Sequence, residues 1–284
     1  MSRQFSLAHL TVLGLAPPEM THVAARCGYD FVSLRLIPMR TPGEPQYLPE
    51  DKAMIAATKT ALRETGVRML DLELACIVRD RPAASYEPAM AAAAELGARH
   101  VISSAWTKER DDRDFVVERY AEICDLAASY GLTVDLEFPT FSRLRSLAEA
   151  VDILRAAARP NCGVLVDSLY FHFSRLKPAD LAALPREWFH FLHLTDTRRE
   201  VPTNADGMKA IAREQRLYLG EGCIDFAALL ASVPDVPLSI ELPNARRARE
   251  LGWEGHARLC LETARNHLAN HLPAEPQRAT GTNG

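Results

Sequence analysis

The sequence predicts an α/β chain closed into a single eight-stranded TIM barrel. Three observations carry that prediction. Short apolar runs alternate with amphipathic helical stretches eight times along 284 residues, the pattern of a parallel sheet wrapped by helices. No GxGxxG follows the first apolar run, which argues against a doubly wound open sheet of the dinucleotide-binding kind. Acids and histidines fall late on several different runs, and the strand ends of a barrel meet at one mouth.

The first strand is expected over 5–14, and the helix after it begins at Pro17 and Pro18 and stops at Gly28. The second strand covers 29–38, and the proline-rich stretch 39–51 reads as a long ordered loop. A helix over about 50–65 ends at Gly66, before the third strand at 67–78. A helix at 90–97 precedes the fourth strand at 100–106, and 111–131 is amphipathic, with acids in its first turn and glycine at its end. The fifth strand is LTVDLEF, followed by a helix over 146–160. The sixth is GVLVDS, followed by a short helix over 177–184. The seventh is HFLHLTD. The connection 197–224 holds a helix near 206–215 and the turn LGEG at 219–222. A helix over 225–233, the strand LSIEL and a closing helix over 247–270 finish the barrel, giving a catalytic domain over 1–272. The polar tail 273–284 is expected to be disordered.

Composition narrows the function classes. With 48% hydrophobic and 25% charged residues the chain is ordinary globular protein, and a net charge of −4 leaves no nucleic-acid footprint. Six scattered cysteines without a CxxC pair read as reduced thiols of a cytoplasmic protein. The start, MSRQFSLAHL, is too short and polar for a signal peptide, and no apolar stretch reaches membrane length, so no membrane partner is expected.

Four late strands carry the chemistry. Thr133, Asp135 and Glu137 oppose Leu132, Val134 and Leu136; Asp167 opposes Val164 and Val166; His193 opposes Leu192 and Leu194; Glu241 opposes Leu238, Ile240 and Leu242. Three carboxylates and an imidazole aimed at one axis would repel or be desolvated unless a cation sat among them, and one divalent ion would satisfy all four. Glu73 and Asp135 share the inward phase and read as hydrogen-bonding neighbours rather than ligands.

The order Glu, Asp, His, Glu on strands five to eight resembles the xylose-isomerase-like barrel superfamily. VSLRLIP, LVDSLYFHFSR, FLHLTD, LGEG and SIELPN resemble its branch labelled sugar phosphate isomerase/epimerase. The resemblance implies that Glu137, Asp167, His193 and Glu241 bind one divalent metal, zinc or manganese first, magnesium or cobalt as alternates. It also implies that Glu137 and Glu241 are the catalytic pair, moving a proton beside a carbonyl of a small hydroxy-carbonyl substrate. Many of these epimerases carry Asp-x-x-His after strand six. Here the spacing is longer, from Asp167 to His172, which puts the substrate role of His172 in question.

Other positions have a structural and a functional reading. Arg35 faces inward with Ser33 and would either pair with Glu73 or hold a substrate carboxylate with its fork. Arg40, Arg79 and Arg81 lie on neighbouring loops and hint at a positive rim that draws an anion. His9 shares a phase with Leu7 and Thr11; core packing is its default reading and substrate contact the other. Arg216, near LGEG, approaches the substrate in the functional reading, while Glu221 braces the turn. Trp106, Phe141, Tyr170 and Phe171 either wall a pocket or pack under loops. No glycine-rich phosphate loop follows strands seven and eight.

The expected function is therefore a metal-dependent isomerase or epimerase acting on a small, oxygen-rich, anionic molecule. The rival is a zinc-dependent hydrolase or lyase on a small carboxylic acid, as in opening cis-epoxysuccinate to a tartrate or dehydrating a hydroxy acid. A metal-dependent nuclease would need more ligands and a basic groove. A catalytically silent binding barrel would not need four intact ligands. Barrel faces often pair, which leaves a homodimer open.

Overall fold

The computed structural model describes residues 3–39 and 44–271. The expected disorder of the tail, and Arg40, lie outside the described residues. Eight parallel strands close into a barrel in chain order: β1 Phe5–Ala8, β2 Phe31–Arg35, β3 Arg68–Ile77, β4 His100–Ala105, β5 Thr133–Glu137, β6 Cys162–Asp167, β7 Leu192–Leu194 and β8 Leu238–Ile240, with β8 paired back onto β1. The helices are α1 Pro17–Cys27, α2 Lys52–Thr65, α3 Glu87–Glu95, α4 Arg113–Ala128, α5 Leu147–Ala157, α6 Ser168–Phe173, α7 Pro178–Ala182, α8 Ala205–Glu214, α9 Phe226–Ala231 and α10 Ala245–His271.

The predicted alternation is what builds the two layers. Val134, Leu136, Val164, Val166, Leu192, Leu194, Leu238 and Ile240 are fully buried in the main core. Burying each such side chain contributes about 1.5–3 kcal/mol. The opposite phase points into the barrel, where Phe31, Leu70, Ile102, Leu165 and Phe191 form a smaller apolar plug. Register then fixes the height of the functional groups. Glu137 lies beside Leu165, Asp167 beside His193, and His193 beside Ser239. The Glu241 N–H bonds to the Leu194 carbonyl, which holds it one step past β8.

Local signals set the ends. Gly28 and Gly66 take positive φ and close α1 and α2, while Asp51 and Ser146 cap α2 and α5. The closing helix kinks at Gly252 and ties back to α1 and the residues just after it: Arg26 pairs with Glu254 at 2.7 Å, and the Tyr29 hydroxyl donates to the Ala257 carbonyl.

The structure corrects the element reading in three places. The first strand stops at Ala8, and His9–Val12 is a 3-10 turn, so His9 does not sit on strand one. The Thr11 hydroxyl ends the strand by bonding the Ile240 carbonyl and the Leu242 N–H. A helix, α6, follows Asp167 directly where a loop was expected, because the Asp167 carboxylate caps it through the Leu169 N–H at 2.8 Å. The helix expected at 90–97 starts at Glu87, with Pro88 in its first turn.

Candidate metal centre

The four in-phase residues converge. Donor atoms of Glu137, Asp167, His193 and Glu241 all lie within 4.8 Å of one another, and all four residues are buried. His193 Nδ1 is 3.5 Å from a Glu241 oxygen and 3.9 Å from a Glu137 oxygen, and neither ring nitrogen has a hydrogen-bond partner. An imidazole buried with both nitrogens unmatched, facing three carboxylates, fits a divalent cation: one neutral nitrogen and three oxygens are a donor set for zinc or manganese.

Electrostatics show the strain in that cluster. Burial pulls the His193 pKa down, but Glu241, Glu137 and Asp167 outweigh it and push it up to about 10. Burial raises Glu137 well above the ordinary carboxylate range, reinforced by the charge of Glu241. Glu241 moves the other way: burial is overcome by Arg216 and His193, which hold its carboxyl far below the usual range.

Arg216 is the counter-charge. It is fully buried, donates from Nη1 to Asp167 Oδ2 at 2.7 Å, and meets Glu241 Oε2 from Nη2 at 2.7 Å. Its Nε bonds the Ala212 carbonyl, so three anchors fix the plane. The arginine expected near the substrate is thus first an orienting clamp on two of the three carboxylates.

The cleft above the four donors is narrow, with a cavity volume of about 70 Å³, and opens to solvent. Leu10, Met39, Trp106, Phe141 and Tyr170 wall it, with Arg35, Arg213, Glu44 and Glu73 among the polar lining. Trp106, Phe141 and Tyr170 form a chain of ring contacts at 5.9 and 5.8 Å, so these aromatics both pack and line the site.

The remaining predicted residues divide. Arg35 lines the cleft but is engaged, at 2.9 Å from Glu73 and 3.6 Å from Glu44, which is its structural reading. His9 is buried beneath: Nε2 lies 2.9 Å from the Leu15 carbonyl, Nδ1 accepts the Arg35 N–H, and the ring stacks on Tyr47. His172 sits at the far end of α6, outside the cleft, in a surface depression with Arg175 and Arg199. Of the arginines expected at a positive rim, Arg79 pairs with Glu109 and Arg81 lies over the Tyr86 ring.

Sequence reasoning missed Glu44, Arg213 and, above all, Asp196. Its carboxylate accepts five backbone N–H groups, from Thr197, Gly220, Gly222, Cys223 and Ile224. A Cβ on Gly222 would lie 2.2 Å from Asp196 Oδ1, so the glycine is required there. An acid ahead of a Gly-x-Gly turn was the available signal. Glu221 braces the same turn through Tyr218 N–H and Arg247.

Known proteins resemble the chain over most of its length. The inosose isomerase of Bacillus velezensis is 23% identical over 223 residues, 74% of this chain and 75% of that one. The 3-dehydroshikimate dehydratase of Pseudomonas aeruginosa is 30% identical over 165 residues, 54% of this chain but 25% of that longer protein. A crystal structure of IOLI protein with a bound zinc atom superposes with a TM-score of 0.78 at 20% identity, covering 95% of this chain and all of that one. The sequence profile of the family described as Xylose isomerase-like TIM barrel matches residues 22–263, and the chain belongs to that family.

Proposed function

We propose that this protein is a divalent-metal-dependent isomerase or epimerase of a neutral polyhydroxy ketone, with Glu137, Asp167, His193 and Glu241 holding a zinc or manganese ion. The observation that carries the reading is the buried four-donor cluster with both His193 nitrogens unmatched. Charge balance supports a neutral substrate. Glu44, Glu73, Glu137, Asp167 and Glu241 face Arg35, Arg213 and Arg216, an excess of two carboxylates that a divalent ion would cancel. The two arginine forks nearest the cluster are already engaged, Arg35 by Glu73 and Glu44, and Arg216 by Asp167 and Glu241. The name of the Bacillus relative, an isomerase of inosose, points the same way.

The ion would supply Lewis-acid polarisation of the substrate carbonyl. The chain supplies the rest. Glu241 is pinned by Arg216, whereas Glu137 has no guanidinium partner and only His193 at 3.9 Å, so Glu137 is the carboxylate free to take a proton from carbon. Glu241, across the cluster, can serve the opposite face when configuration is inverted. Trp106, Phe141 and Tyr170 wall the cleft in which the ketone would lie.

A second reading, dehydration of a hydroxy acid, draws on the similarity to the Pseudomonas dehydratase. One experiment separates the two: metal-loaded protein in D₂O, offered keto-cyclitols, keto-sugars and hydroxy-keto acids, with products weighed. A product isomeric with its substrate and carrying carbon-bound deuterium supports the proposal. A product lighter by one water supports the lyase instead, and no conversion of any ketone sinks the isomerase reading.

A further inference from the structure

We propose that the opposite end of the barrel carries a second divalent-cation site, formed by His100, Asp135 and His190, for a borderline transition ion such as zinc or cobalt(II). His100 opens β4, Asp135 is mid-β5, and His190 stands just before β7, so the fold brings three separate segments to one point. The donor atoms of the three side chains lie within 4.8 Å of one another. The Asp135 carboxylate is fully buried, with one oxygen 2.7 Å from His190 Nδ1 and the other 3.9 Å from His100 Nδ1. The imidazoles are stacked, centroids 5.2 Å apart and planes within 18°, so both present a nitrogen edge to the same carboxylate.

Space for this group is built into the backbone. A Cβ on Gly163 would lie 2.5 Å from the Asp135 oxygen and 2.6 Å from His190 Nδ1, so only glycine leaves the volume free. Thr133 fixes the first ring, its hydroxyl 2.7 Å from His100 Nδ1. The imidazoles are 12% and 20% exposed, which gives an ion an entry route and leaves water able to complete its coordination.

The site is separate from the mouth. Asp135 and Glu137 share a face of β5 but stand two residues, roughly 7 Å, apart along the strand. The donor chemistry differs as well. Two imidazoles and one carboxylate favour zinc or cobalt over manganese or magnesium, whereas the oxygen-rich mouth accepts either kind. Binding displaces the proton that His190 Nδ1 donates to Asp135, releases it to solvent, and cross-links β4, β5 and the segment entering β7.

The test uses wild-type crystals soaked in zinc and, separately, in manganese, read by anomalous scattering. A zinc peak among His100, Asp135 and His190, absent with manganese, is the expected result. Zinc confined to the mouth, or found instead at the stacked His267–His271 pair on α10, overturns the site. In solution, His190→Gln and His100→Gln should each bind one zinc fewer per chain than wild type while keeping the manganese stoichiometry. An unchanged zinc stoichiometry in both also overturns it. The wild-type crystals decide the matter even if a variant fails to fold.

Discussion

Two sets of acids meet behind the same stretch of chain and have opposite fates. Asp196, at the end of β7, is surrounded by five backbone N–H groups and its charge is spent on shaping the loop that follows. Three residues earlier His193 faces Glu137, Asp167 and Glu241, and its two nitrogens find nothing. Both regions are buried and polar, and both read as acid or histidine late on a strand. The difference is satisfaction. A structural carboxylate is buried with its donors, while a ligand set is buried with its partner still to come.

The largest effect should come from the set that lacks its partner. Glu137→Gln removes the free proton carrier and should lower turnover by about 10³-fold, within the range for a general base, with the shape of the residue kept. Steady-state rates on metal-loaded protein check this, and full activity would move the proton transfer elsewhere.

Arg216→Met tests the clamp between the two regions. Leaving Asp167 and Glu241 buried without a counter-charge should destabilise the metal-free protein by about 3–5 kcal/mol. Saturating zinc should narrow that loss, since the ion neutralises the same carboxylates. Denaturant midpoints with and without zinc would expose the contrary result, a deficit that metal leaves untouched.

Asp196→Asn sharpens the comparison from the satisfied side. An amide can accept through one oxygen only, so several of the five donors lose their partner, for a loss of about 1–3 kcal/mol that zinc does not restore. Recovery on adding zinc would mean that the loop and the cluster are one unit.

A smaller effect comes from a histidine that is buried and satisfied. Burial holds the His9 pKa down to about 4, against an ordinary value of 6.5. It is neutral when folded and protonated when unfolded between those values. Stability is therefore lost as pH falls from 6.5 towards 4 and levels off below. Measured across that window, His9→Asn should show a shallower decline than wild type; an identical slope would remove His9 from the account. The smallest effect expected on catalysis is that of Arg35→Lys, within about threefold in kcat/KM on a neutral ketone, since Lys keeps the charge beside Glu73. A much larger loss would favour an anionic substrate held by the fork.

These contrasts also explain what could be read from the sequence. The barrel was legible because the period-2 alternation of strands such as TVDLE and GVLVD gives both the core face and the inward face directly. The four-residue cluster was legible for the same reason, each member lying one phase away from valine or leucine. Strand ends were less legible. The Thr11 hydroxyl and the Asp167 carboxylate terminate strands through long-range or capping bonds that leave no periodic trace, which is why the 3-10 turn at His9 and the helix carrying His172 were not foreseen. Partners were hidden too: that Arg216 closes on Asp167, 49 positions away, follows from closure of the barrel, not from any local pattern.

The pairing of β8 with β1 has a consequence for how such a protein is made. Glu241 lies 104 positions after Glu137 and reaches the cluster only when the last strand seals against the first. A nascent chain that has emerged as far as β7 carries three of the four donors on an open sheet with an exposed edge. A complete four-donor set therefore exists only in the closed barrel, once the last strand has paired with the first.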